Sequence, residues 1–177
     1  MGKVKNTKAK GSRHENELIK YYESIGYYVT RAAGSKGTFD IHVEQLFVPR
    51  NQYKGSWGDI FLDDNTPWDW GETLLPNNGY IQVKTSGLPD TEELRAIIST
   101  NFYNTATVKM IAVRKTGGYF EFYEVEDARK SINGTQRKTL LESYVSKIPV
   151  ILRVRKPKKQ PIQFELEWLE NEEGEVE

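Results

Sequence analysis

The chain has no cysteine. Disulfides and thiolate zinc sites are therefore excluded. Histidine is nearly as scarce: His14 and His42 are the only two, too few for a histidine-rich metal site. No apolar run approaches the roughly 20 residues that a membrane-spanning helix needs, so no membrane partner is expected. The first residues are lysine-rich and lack an apolar stretch, which argues against a secretory signal and for a cytoplasmic location. There is no internal repeat, no Gly-rich loop of the Walker type and no Ser-His-Asp arrangement. Net charge is lacking too, at +0 over 177 residues.

That zero hides a segregation of charge. Residues 1–40 carry eight Lys or Arg against four Asp or Glu, and residues 41–80 carry two against six. Residues 81–159 carry fifteen against eight, and residues 160–177 none against seven. Two basic blocks are thus separated from an acidic insertion and an acidic tail. Basic blocks attract phosphate; the plainer alternative is a mixed charged surface that keeps the chain in solution.

The length suits one domain with embellishments. Residues 1–10 read as a basic disordered arm, 11–169 as a single domain, and 170–177 as an acidic disordered tail. Residues 49–79 form an insertion rich in Gly, Pro, Asn and Asp that holds Trp57, Trp68 and Trp70. It reads as a satellite apolar cluster, or else as a wedge or dimer contact.

Hydrophobic spacing gives an α/β chain. Leu18, Ile19, Tyr22 and Ile25 recur at helical spacing before Gly26. Strands are expected over 27–31, 39–48 and 80–85. Phe39, Ile41 and Val43 should share one face of their strand, with Asp40, His42 and Glu44 on the other. Tyr80, Gln82 and Lys84 should likewise share a face. A helix over 89–105 opens on Asp90 as N-cap and buries Leu94, Ile97 and Ile98. Thr107 to Val113 and Tyr119 to Val125 form a hairpin across a Lys-Thr-Gly-Gly turn. Residues 126–145 read as partly helical, broken at Asn133-Gly134. Strands over 150–154 and 162–169 flank the basic segment RKPKKQP, which is either a phosphate contact or a solvated turn.

The chemistry concentrates in Lys10 to Asp40 and in IQVK, Ile81 to Lys84. Glu15 lies three, four and seven positions before Leu18, Ile19 and Tyr22, at the end of the apolar stripe. A carboxylate there is costly unless paired or metal-bound. Ser12-x-x-Glu15 also reads as a capping box that opens the helix, which would leave His14 in a solvent-facing first turn. Two antiparallel strands would bring Asp40 beside Gln82 and Lys84. Mg²⁺ takes oxygen ligands, with one or two carboxylates plus phosphate. A nearby lysine can position a water and offset phosphate charge. His42 shares the face of Asp40 and reads as structural or as a phosphate contact.

These segments resemble the archaeal-type Holliday junction resolvases, also found in phages and viruses, within the PD-(D/E)XK nuclease superfamily. The matching features are KG-x₃-E-x-EL at Lys10 to Leu18, R-x-x-GS at Arg31 to Ser35, FDI around Asp40, and QVK ending at Lys84. The resemblance covers roughly residues 10–48 and 79–113. It implies a restriction-endonuclease-like fold, a mixed central sheet flanked by helices. It also implies a Mg²⁺-dependent endonuclease, with Mn²⁺ as a substitute, that resolves four-way DNA junctions in recombination and repair as a homodimer. Glu15, Asp40, Gln82 and the Val83 carbonyl would be metal ligands, Lys84 the catalytic lysine, and Ser35 part of an active-site loop. Lys10, Arg13, Arg31 and Lys36 would meet DNA. Two departures stand out. The family usually carries glutamate where this chain has Gln82, and about forty residues separate Asp40 from Gln82 where the family has a short hairpin. The second leaves Asp59 as a rival ligand.

Overall fold

The computed structural model describes residues 7–31, 37–45, 78–102 and 107–169. Among them are three helices and one seven-stranded mixed sheet. The elements are α1 (Thr7–Ser24), β1 (Tyr27–Arg31), β2 (Ile41–Gln45), β3 (Asn78–Lys84), α2 (Thr91–Ser99), β4 (Thr107–Arg114), β5 (Tyr119–Val125), α3 (Arg137–Tyr144), β6 (Val145–Arg155) and β7 (Gln163–Trp168). The strands lie side by side in chain order. Every neighbouring pair is antiparallel except β3 and β4. A parallel pair needs a crossover, and α2 supplies it.

Each face of the sheet has its own core. On one face α1 sets Leu18, Tyr21 and Tyr22 against Ile41, Val43, Ile81, Val83, Met110, Phe120 and Phe122. On the other, Leu94, Ile97 and Ile98 of α2 and Leu140 of α3 meet Ile111, Val113 and Val125. Strand β4 is covered on both faces, which explains its unbroken apolar run Met110 to Val113. Gly26, at φ 91°, ends α1 in the left-handed conformation that glycine adopts without strain. Asp90 caps α2 by accepting a hydrogen bond from the Glu93 backbone N–H at 2.9 Å.

Several expectations change. Helix α1 begins at Thr7, so residues 7–10 extend the helix rather than belonging to a disordered arm. Gly11 is the one weak helix former there, and a helix tolerates it at a cost of about 1 kcal/mol. Ser12 is therefore internal, no capping box forms, and His14 is not in a first turn. His14 sits edge-on to Phe120, and burial lowers its pKa. Phe39 joins the α2 core rather than the face of Ile41 and Val43, because β2 begins only at Ile41 and strand alternation does not reach back to it. Helix α2 stops at Ser99, where the Lys109 ammonium donates to the carbonyls of Ile97, Ile98 and Thr100. Only Arg137–Tyr144 of the 126–145 stretch is helical, after a turn at Gly134 with φ 76°. Strand β6 starts at Val145, five residues early, carrying Pro149 within it. Residues 46–77, with Asp59 and the three tryptophans, and residues 170–177 lie outside the described residues, as do Ser35 and Lys36.

Glu17 is a buried charge that the sequence reading passed over. It is 3% exposed, on α1, and receives hydrogen bonds from Arg114 at 2.8 Å and from Lys156. Burial alone would raise its pKa; the Lys156 hydrogen bond, then Arg114, outweigh burial and hold it below its ordinary 4.5. A depressed carboxylate contributes stability that is present above 4.5 and is lost as pH falls through the lower folded value. Glu17→Ala should cost about 3 kcal/mol, because it strands two cations. That corresponds to a melting temperature lower by roughly 6–12 °C for a chain of this size. The loss should shrink as pH drops below 4.5. An equal loss at pH 7 and at pH 3, read by thermal denaturation, would show that ionised Glu17 is not what matters.

Candidate active site

Asp40 meets Val83 where β2 begins and β3 ends, with Lys84 and Glu15 within electrostatic reach of it. The Asp40 backbone N–H donates to the Ile81 carbonyl at 3.0 Å, and Ile41 pairs with Ile81. This is the antiparallel pairing expected between the FDI and IQVK segments. Asp40 precedes β2, so its carboxylate replaces the missing backbone partner of β3: its Oδ2 accepts from the Val83 N–H at 2.8 Å. In an extended strand a residue's N–H and C=O point the same way. The Val83 carbonyl therefore faces the same side as its N–H, the side of Asp40.

Glu15 comes from mid-α1, half-buried, and pairs with Arg31 at the end of β1 at 3.1 Å. Arg31 also donates to Asn16 Oδ1 at 2.8 Å and to the Ser12 carbonyl at 3.2 Å. It thus ties β1 to α1. Arg13 is open, with Nε 3.8 Å from Glu17. Lys10 lies in α1.

Both acids at the site have shifted pKa values. Asp40 has its pKa raised, first by burial and also by Glu93; the Val83 N–H, Lys84 and Arg31 offset only part of this. Glu15 is raised by burial and then by Asp40, against the pull of Arg31. Two partly buried carboxylates with raised pKa values, one of them raised in part by the other, are a place where a cation would relieve the charge.

Gln82 is buried, and its Oε1 has no hydrogen-bond partner. Such an orphaned acceptor costs about 1–3 kcal/mol. Its Nε2 donates to Glu93 at 3.1 Å. A carboxylate only accepts, so the amide must present its NH₂ there and its oxygen elsewhere. Lys84 donates to both oxygens of the same Glu93, at 2.9 and 2.7 Å.

Glu93 was absent from the sequence reading. Asp90-Thr-Glu-Glu93 looks like a helix-cap signature and nothing more. The backbone of Glu93 does serve the cap, but its side chain turns onto β3. His42 has partners within the fold: its Nε2 lies 2.6 Å from Asn78 Oδ1, and its ring stacks on Tyr80.

Among the described residues no three His, Cys, Asp or Glu side chains gather closely enough to hold a metal on their own. The donor set nonetheless fits a hard divalent cation. It offers two carboxylates, a free amide oxygen and a backbone carbonyl, all oxygen, and Mg²⁺ commonly takes one or two carboxylates and completes its shell with water and substrate phosphate. No family model, curated protein or solved structure matches this chain. No described helix is long and apolar enough to cross a membrane.

Proposed function

We propose that this chain is a divalent-metal-dependent endonuclease with a restriction-endonuclease-like fold, acting on four-way DNA junctions as the resolvase resemblance implies. The observation that supports the reading is that Asp40 sits against the end of β3 with Glu15 and Lys84 within electrostatic reach, while the oxygen of the neighbouring Gln82 is left without a partner. Helices on both faces of a mixed sheet agree with the fold the resemblance implies.

Glu15, Asp40, Gln82 Oε1 and the Val83 carbonyl would hold Mg²⁺, or Mn²⁺ in its place. When bound, the cation polarises the phosphate and makes water more acidic. The protein's own groups do the rest. Lys84 positions the attacking water for in-line displacement and offsets charge on the phosphate. The Val83 N–H fixes the Asp40 carboxylate, and Arg31 fixes Glu15. Resolving a junction needs two matched nicks, so a symmetric homodimer is expected.

The strand register also places the basic segments. The C-terminal ends of β3, β4 and β6 lie at the same end of the sheet. Lys84 is level with Ile151 of β6, three strand spacings or roughly 14 Å away, and the turn lies beyond the end of β6 at Arg155. There Lys156 is bound to Glu17, whereas Lys158 and Lys159 are exposed. Lys159 has φ 63°, a left-handed backbone where glycine would sit more easily. These two lysines are suited to contact DNA backbone. Lys158→Ala with Lys159→Ala should weaken junction binding and reduce the slope of log K against log salt by about 2. An unchanged slope would return this segment to a solvated turn.

The substrate class is tested with purified protein and Mg²⁺ on end-labelled four-way, flapped and linear DNA. Paired nicks in the four-way junction are expected. Preferential cutting of flapped or linear DNA would assign the same site to a repair or restriction nuclease.

A further inference from the structure

The nuclease reading leaves two questions at the site: why an amide stands at position 82, and what holds Lys84. Both lead to Glu93. The cap of α2 needs only the Glu93 backbone, because Asp90 takes the N–H. The Glu93 side chain is free to act elsewhere, and its two oxygens receive Lys84 twice and Gln82 once. With glutamate at 82, two carboxylates would stand about 3 Å apart, each opposing ionisation of the other. With glutamine the contact becomes a hydrogen bond, and the amide oxygen that results has no other partner.

We propose that Glu93 is the positioning residue of this site. It carries on α2 the negative charge that a glutamate at 82 would carry on β3. It orients the Gln82 amide so that Oε1 is free to ligate a divalent cation, and it holds the Lys84 ammonium in place. The departure from the resolvase pattern at Gln82 is then a relocation of charge by one element, from strand to helix, rather than a loss of it. This inference rests on the metal-site reading above.

The test uses the full-length protein in four forms: wild type, Glu93→Gln, Gln82→Glu and the exchange Gln82→Glu/Glu93→Gln. Ca²⁺ alone, without DNA, is titrated into each by calorimetry, and Mg²⁺-dependent junction cleavage is measured alongside. Glu93→Gln should weaken Ca²⁺ binding about tenfold, as loss of a residue that orients a ligand commonly does, with its melting temperature close to that of wild type. It should also lower the turnover at saturating Mg²⁺, because Lys84 loses its anchor. Gln82→Glu should lower the melting temperature of the cation-free protein and shift binding to lower Ca²⁺. The exchange should bring Ca²⁺ affinity back to within about threefold of wild type, a recovery that a purely structural Glu93 does not give. The proposal is overturned if Glu93→Gln binds Ca²⁺ and turns over like wild type, or if the exchange is as weak as Glu93→Gln. Wild type that binds no Ca²⁺ would instead remove the metal-site reading itself.

Discussion

Asp40→Asn is expected to abolish cleavage, by on the order of 10²–10³-fold or more, while making the cation-free protein more heat-stable. The two effects share one cause. Burial, first among the influences on Asp40, raises its pKa above the ordinary 3.8. A carboxyl raised on folding contributes stability that is full below 3.8 and is lost as pH climbs through the folded value. At neutral pH the ionised group therefore works against the fold. Asparagine removes the charge and keeps an oxygen for the Val83 N–H, now held at 2.8 Å. Junction binding should remain, because Asp40 acts on the reaction and not on docking. Thermal denaturation at pH 7 and a binding assay check both halves. A variant less stable than wild type would mean that Asp40 is a structural acceptor before it is a ligand.

Glu15→Gln is expected to lower cleavage by a comparable 10²–10³-fold with little change in melting temperature. The residue sits well inside an 18-residue helix, so no cap is lost. Glutamine can still accept from Arg31, which stands 3.1 Å from the carboxylate. What disappears is the charge that Glu15 and Asp40 offer together. Activity near wild type would take Glu15 out of the site and leave it as the partner of Arg31. Kinetics at saturating Mg²⁺, with circular dichroism for stability, separate these outcomes.

How much could be read from the sequence follows from how local each signal is. The β4–β5 hairpin and the Asp90 cap depend on neighbouring residues, and both formed as expected. The contact of Asp40 with Val83 spans 43 residues; two strand patterns suggested the antiparallel pairing of these segments, but not that the carboxylate would take the Val83 backbone N–H. Glu17 was different. Its partners lie 97 and 139 residues away, and on a helical wheel it is only one more glutamate beside Leu18. Glu93 was hidden by its cap signature, since the same spacing serves a helix end whether or not the side chain turns elsewhere. Phe39 was misassigned by extending strand alternation one turn too far: the chain is not yet a strand at Asp40. The start of α1 was missed because Ser12 offered a plausible cap inside a stretch that continues as helix.

The central claim is that Asp40, at the mouth of β2 and β3, is the carboxylate around which the site is built. Mg²⁺-dependent nicking of an end-labelled four-way junction tests it most directly, with wild type, Asp40→Asn and Asp59→Asn compared side by side. The account predicts paired nicks from wild type and from Asp59→Asn, dependent on the cation, and none from Asp40→Asn. Normal cutting by Asp40→Asn, with loss in Asp59→Asn, would contradict it.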